Sequence, residues 1–148
     1  MKIETEEISI PLLKEKEVRL FIKRIDKVHP FVSGNKWFKL KYNLLEAQKQ
    51  GFKTLLTFGG AYSNHIAATA FAAKEKGFKS IGIIRGEEHL PLNPTLQFAE
   101  ENGMELHYVS RSDYREKAIP EFLDKLEVQF GDFYLIPEGG TNELAIQG

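Results

Sequence analysis

Thr54-Leu55-Leu56-Thr57-Phe58-Gly59-Gly60-Ala61-Tyr62-Ser63-Asn64-His65 is the stretch on which the fold turns. Residues 54–58 form a short, mostly apolar run, the pattern of a buried strand. The two glycines that follow permit a tight turn and let the backbone come close to a ligand. Ser63 is then placed to cap an alanine-rich run that ends at Gly77. Strand, glycine turn and capped helix make one unit of an α/β sheet, since parallel strands must be joined by a crossover.

The same unit recurs downstream. Residues 80–84 are apolar throughout and read as the next strand. Asn93-Pro94 opens a short helix, with Pro94 suited to the first turn, and Gly103 closes it. Residues 105–109 predict a third strand. Asp113 and Glu116 have the spacing of a capping box for a further helix. Pro120 breaks or bends it, so residues 114–130 read as one bent helix or two short ones. Residues 133–136 predict the last strand, with Glu138-Gly139-Gly140 as its exit. Upstream, residues 36–50 place Trp37, Leu40, Leu44 and Ala47 at helical spacing, and Gly51 is a good stop.

The expected fold is therefore α/β: an open parallel sheet of about four strands with helices on both faces. Ligands of such sheets collect at the carboxyl ends of the strands, where the Gly59-Gly60 turn lies. Two features sit outside the pattern. Residues 18–23 alternate, with Leu20 and Ile22 on one face and Arg19, Phe21 and Lys23 on the other, yet this strand has no evident neighbour. The chain also stops at Gly148, where residues 141–147 read as the opening of another helix. The expectation is a cut from a larger protein, with the early strand pairing with the absent part.

Composition narrows the function classes. A formal net charge of −1 offers no strong field for nucleic acid or an anionic membrane. Hydrophobic residues at 42% and charged residues at 28% fit a soluble globular chain. The absence of cysteine excludes disulfides, a thiol nucleophile and thiolate metal sites in these residues. The four histidines share no ligand spacing, so no metal is expected. The opening residues lack the apolar core of a signal peptide, and no run is long enough to span a membrane. A cytoplasmic location is expected.

Two stretches carry candidate chemistry. In Ser33-Gly34-Asn35-Lys36-Trp37 a lysine stands in the first turn of a helix, where the dipole disfavours its ammonium form and partial burial acts the same way. A neutral amine is what an aldehyde needs to form a Schiff base. The competing reading is one more surface lysine on a polar helix start. In Gly59-Gly60-Ala61-Tyr62-Ser63-Asn64-His65, the Ser63, Asn64 and His65 amides point out of a helix N-terminus and would suit a carboxylate. The competing reading there is a tight turn with Ser63 as a plain cap. A dinucleotide site fits poorly, because the three-glycine spacing is missing.

Together, SGNKWFKLKYNLLEA followed by TLLTFGGAYSNHIAATA resembles the pyridoxal-phosphate enzymes of the 1-aminocyclopropane-1-carboxylate deaminase and D-cysteine desulfhydrase family, of the tryptophan-synthase-β-like group (fold type II). The resemblance implies that Lys36, after Gly34-Asn35, carries the cofactor as a Schiff base, with Asn35 beside it. It implies that Asn64 bonds the pyridoxal ring hydroxyl. Ser63 would lie at the substrate and assist proton transfer, and the Ser63, Asn64 and His65 amides would hold the substrate carboxylate. The implied reaction turns a small amino acid into a 2-oxo acid and ammonia, with Lys36 moving a proton at the α or β carbon.

The resemblance also implies a division into residues 1–36, belonging to a large cofactor domain, and residues 37–148, a small α/β domain. The rest of the large domain, with its glycine-rich phosphate loop, would lie beyond Gly148, and the full protein would be a homodimer. Ala61-Tyr62 and His65 depart from the best-known deaminases, which have isoleucine-glutamine and, in some, glutamine at these positions. Tyr62 and its neighbours border the substrate, so its identity stays open. The alternative is a non-catalytic α/β module that binds a small carboxylate.

Overall fold

The computed structural model describes residues 3–32 and 34–148. Ser33, which precedes Gly34 in the lysine stretch, lies outside the described residues. The chain opens with β1 (Thr5–Ile8), α1 (Pro11–Glu15) and β2 (Leu20–Lys23), where β1 and β2 form an antiparallel hairpin. The early strand thus has a neighbour after all, which corrects the expectation. Thr5-Glu6-Glu7-Ile8 carries too few apolar residues to signal a strand. Every residue of β2 is exposed, Leu20, Phe21 and Ile22 included, and the hairpin forms a two-stranded sheet of its own.

The remainder builds one parallel sheet: α2 (Asn35–Lys49), β3 (Thr54–Gly60), α3 (Asn64–Lys76), β4 (Lys79–Arg85), α4 (Pro94–Glu101), β5 (Met104–Val109), α5 (Arg111–Arg115), α6 (Pro120–Phe130), β6 (Tyr134–Ile136) and α7 (Glu143–Gln147). The strand order is β5-β4-β3-β6. The glycine stops work as the sequence implied. At the end of α2, Gly51 takes φ +83°, its amide bonds Gln48 O and the Phe52 amide bonds Ala47 O. Gly77 closes α3 with the same pair of bonds, to Lys74 and Ala73. Both are Schellman closures, which need a left-handed residue that glycine supplies without strain.

Helices cover both faces, and the period-2 alternation of the strands sorts the core. On one face Leu55 packs with Leu40, Leu44 and Ala47 of α2 and Ala68, Ala72 and Ala73 of α3. Further along that face, Ile84 packs with Ile66 and Ala70 of α3 and Leu96 and Ala99 of α4. On the other, Leu56, Phe58, Ile81 and Ile83 pack against Tyr114 of α5 and Leu126 of α6. Alanine in α3 lets that helix sit close to the strands. Gly59 does the same from below: a Cβ there would come within 2.5 Å of Ile66 Cγ1.

Two local expectations need correcting. Gly59 and Gly60 are the last residues of β3, and the turn proper is Ala61-Tyr62. The helix after β5 is capped by Ser110, whose Oγ accepts from the Asp113 amide at 3.1 Å. Asp113 is therefore inside α5 and no capping box forms with Glu116, which follows the helix. Serine outcompetes because it stands one residue before the first helical dihedrals, where a side-chain oxygen can reach back to the free amides. Pro120 separates the segment into two helices, α5 and α6, and starts the second. Among the described residues no helix is long and apolar enough to cross a membrane.

Candidate functional site

The order β5-β4-β3-β6 creates one place where the winding reverses. From β3 the chain steps outward to β4 and β5, then returns to lay β6 on the opposite side of β3. Connections leaving the carboxyl ends of β3 and β6 therefore part in opposite directions and leave a crevice between them. After β3 comes the Ala61-Tyr62 turn and the start of α3; after β6 comes a 310 turn at Glu138–Gly140.

Lys36 reaches this crevice from the first turn of α2. Its side chain is half-buried and its Nζ donates to Gly139 O at 3.1 Å, across 103 residues of sequence. Burial, and then the charge of Lys39, lower its pKa from the usual lysine value. Lys39, one turn further on, donates to Gly139 O at 3.4 Å and to Thr141 Oγ1 at 2.8 Å. Two ammonium groups thus share one carbonyl oxygen.

His65 links the lysine to the second stretch. Its ring is 2% exposed, and Nε2 lies 2.8 Å from Thr57 Oγ1. The Thr57 hydroxyl donates to Ile136 O at 2.8 Å, so it accepts from His65, and the proton of the neutral ring is assigned to Nε2. Nδ1 is then a bare acceptor, buried and without a partner among the described residues. It faces Gly140, where a Cβ would stand 3.5 Å from Nδ1 and 3.2 Å from Cε1. Burial first, then the charges of Lys36 and Lys39, push His65 down to about 4, and Glu138 opposes them weakly. The histidine is neutral at ordinary pH. The Thr57–Ile136 bond also ties β3 to β6 at the crevice.

Ser63 is the N-cap of α3, with its Oγ accepting from Ile66 N at 3.4 Å. That bond is long, and the hydroxyl proton is uncommitted among the described bonds. Asn64 is exposed at the first helical position, and the Asn64 and His65 amides have no acceptor inside the helix. Tyr62 is 79% exposed at the tip of the turn, and Asn35 is exposed at the start of α2. The structure therefore gathers Lys36, Lys39, His65 and Gly139-Gly140 closely. It places Ser63, Asn64 and Tyr62 along the same strand ends, without a described hydrogen bond to Lys36. Lys39, Thr57 and Thr141 were missed in the sequence. Lys39 had a signal, its helical spacing from Lys36, while Thr57 and Thr141 had none.

Beside this crevice an open cleft of about 1100 Å³ runs over the ends of β3, β4 and β5, lined among others by Gly60, Tyr62, Arg85, Ser110, Tyr114 and Glu138. Lys117 pairs with Glu138 at 3.2 Å and lies over the Tyr114 ring at 4.6 Å. The Tyr114 hydroxyl is buried without a hydrogen bond of good geometry. Its burial and the neighbouring Glu138 carboxylate raise its pKa. Among the described residues no three histidine, aspartate or glutamate side chains gather as a metal site would require.

Known proteins are similar to this chain in sequence and fold. A Thermotoga maritima protein provisionally named 1-aminocyclopropane-1-carboxylate deaminase is 38% identical over 133 residues, which cover 87% of this chain and 42% of that one. The mitochondrial bifunctional D-cysteine desulfhydrase/1-aminocyclopropane-1-carboxylate deaminase of Arabidopsis thaliana is 35% identical over 138 residues, 87% of this chain and 34% of the relative. The chain is similar over most of its length to proteins named for this deaminase and desulfhydrase family. A crystal structure of an ACC deaminase homologue in the family superposes with a TM-score of 0.78 at 28% identity, covering 98% of this chain and 44% of that chain. O-ureido-L-serine synthase, at 15% identity and a TM-score of 0.63, shares the fold alone. No family model matches the chain. It spans about two fifths of the length of the curated family members named for the deaminase.

Proposed function

We propose that this chain is the lysine-bearing part of a pyridoxal-phosphate enzyme that deaminates a small amino acid, of the aminocyclopropane-carboxylate or D-cysteine type, to a 2-oxo acid and ammonia. The observation that carries the proposal is Lys36: a half-buried amine at the switch point, its ammonium form disfavoured by burial and by Lys39, and its described hydrogen bond made to a carbonyl oxygen. These residues fit the cofactor. An amine so placed gives up its proton more readily than a surface lysine and reacts with an aldehyde once it has done so.

Bound here, pyridoxal phosphate would supply an aldehyde and an electron-withdrawing ring. The chain's own groups would do the rest. Lys36 would hold the cofactor and, when released, carry a proton to or from the substrate carbon. Asn64, exposed beside the crevice, would meet the ring hydroxyl, and Asn35 would border the cofactor next to Lys36. The Asn64 and His65 amides would bind the substrate carboxylate, whereas the Ser63 amide, expected to join them, donates to Gly60 O at 3.0 Å. Ser63, whose hydroxyl proton has no acceptor among the described hydrogen bonds, would assist proton transfer. Tyr62 would edge the substrate from the rim.

We further infer that residues 1–36 belong to a second, larger domain. Support comes from the hairpin's separate sheet, its exposed Leu20, Phe21 and Ile22, and the chain's two-fifths share of its relatives. The test is an absorption spectrum of the full-length protein with pyridoxal phosphate, then borohydride reduction and peptide mapping. A visible band and an adduct on Lys36 alone, both lost in Lys36→Ala, are expected. No band in the full-length protein would end the reading, and tight binding of a small carboxylate without cofactor would favour a plain binding module.

A further inference from the structure

The shared carbonyl at Gly139 raises a question that the lysine's proposed role does not answer. An ammonium ordinarily seeks a carboxylate, yet Lys36 and Lys39 both turn to one peptide oxygen, at 3.1 and 3.4 Å. Lys39 has a second, shorter bond at 2.8 Å to Thr141 Oγ1. Its ammonium is thus held by two oxygens, one of which it shares with Lys36. The groups facing Lys36 from the packed elements do not cancel this charge. His65 from α3 is neutral, and Glu138 from the turn after β6 is paired with Lys117. Gly140, with φ +69°, brings the turn close enough for a Cβ to touch both His65 and Lys39, so the backbone here holds all three groups together.

We propose that Lys39, anchored by Thr141 and Gly139, is a positioning residue whose charge makes Lys36 the lysine of this chain readiest to condense with an aldehyde. The inference rests on the reading of Lys36 as the aldehyde-holding lysine and adds how that lysine is selected. For condensation Lys36 must first lose a proton to solvent. Its lone pair then forms the bond to the carbonyl carbon, and the carbonyl oxygen departs as water. A fixed like charge next to the ammonium favours the first step without touching the reacting atoms. The neighbouring carbonyl keeps a weaker hold on Lys36 than a carboxylate would, so release costs little.

The test needs no cofactor. Formaldehyde with cyanoborohydride methylates free amines: the amine adds to the aldehyde, water leaves, and hydride reduces the C=N bond. The rate at Lys36 is read by peptide mass mapping from pH 6 to 10, relative to exposed Lys49 and Lys74 in the same sample. In Lys39→Met the Lys36 profile should move to higher pH, and its relative rate at pH 7.5 should fall about fivefold, as loss of a water-screened neighbouring charge implies. Lys39→Arg should keep the original profile, and Thr141→Val should fall between the two. Lys36 kinetics unchanged in Lys39→Met would overturn the proposal. So would an Arg variant slowed as much as the Met variant, since packing rather than charge would then decide the rate. The cofactor reading fails separately, if Lys36 follows this series but takes up no pyridoxal phosphate.

Discussion

Thr57 is fully buried in a strand whose neighbours are apolar, and its hydroxyl is committed twice: it accepts from His65 Nε2 and donates to Ile136 O, both at 2.8 Å. Thr57→Val keeps the shape and removes both bonds. The His65 Nε2–H is then a buried donor with nothing to meet, which costs about 1–3 kcal/mol, and the Ile136 carbonyl loses one acceptor contact as well. The sum is roughly 2–3 kcal/mol, or a fall in Tm of about 5–10 °C for a domain of this size. Thr57→Ser keeps the hydroxyl and loses one methyl, about 1 kcal/mol. Adding His65→Leu to Thr57→Val removes the stranded donor, so the pair should cost less than the separate changes together. Urea unfolding followed by circular dichroism measures the parent, the three single variants and the double variant. The reasoning is refuted if Thr57→Val unfolds within about 0.5 kcal/mol of the parent, or if Thr57→Ser falls as far as Thr57→Val.

Further outcomes follow from the same region. His65 stays neutral in the fold down to about pH 4, whereas in the unfolded chain it protonates near 6.5. Its contribution is therefore full above pH 6.5 and is lost as pH falls toward 4, by roughly 3 kcal/mol. Urea midpoints of His65→Gln should lose this dependence, and a slope equal to the parent's would count against a neutral buried imidazole. Gly140→Ala should cost about 1–2 kcal/mol, from its φ of +69° and a Cβ set 3.2 Å from His65 Cε1. An unchanged urea midpoint would contradict that geometry. Asn43 is fully buried, donates to Lys39 O at 2.8 Å and accepts from Asn142 Nδ2 at 2.7 Å. Asn43→Leu should cost about 2–4 kcal/mol by leaving Asn142 and the Tyr134 hydroxyl short of a partner. Ser63→Ala should cost only about 0.5 kcal/mol, since its capping bond is long, and a loss above 2 kcal/mol would show a tighter cap.

Much of the sheet was legible because its signals are local. A run of apolar residues, a capping Ser63 or Asn93 and a stopping Gly51 or Gly77 act within a few residues of themselves, and each is found in the role its chemistry implied. Where two local signals competed, as Ser110 and Asp113 did, the spacing alone chose wrongly. Only the backbone dihedrals decide which oxygen stands outside the helix. The β1–β2 hairpin escaped for another reason: Thr5–Ile8 is held by backbone pairing to β2, which leaves no apolar mark in its side chains.

The candidate site divides the same way. Lys36 and the Ser63-Asn64 turn could be singled out from the sequence because the two stretches occur together and in the order of the family they resemble, although each alone reads as plainly as a surface lysine or a capped turn. The side chain of His65, the anchoring of Lys39 and the double commitment of Thr57 could not. Their partners lie far away in sequence: Ile136 is 79 residues from Thr57, Gly139 is 103 from Lys36 and Thr141 is 102 from Lys39. The sequence by itself determined the strands and helices of the parallel sheet and most of their ends, since those depend on dihedral preference and burial within a turn or two. Tertiary structure alone decided that β6 lies beside β3, and hence that a crevice opens there. Strand order is a matter of which faces and edges meet, and a buried hydroxyl or ammonium takes its meaning from the acceptor that the distant chain brings to it.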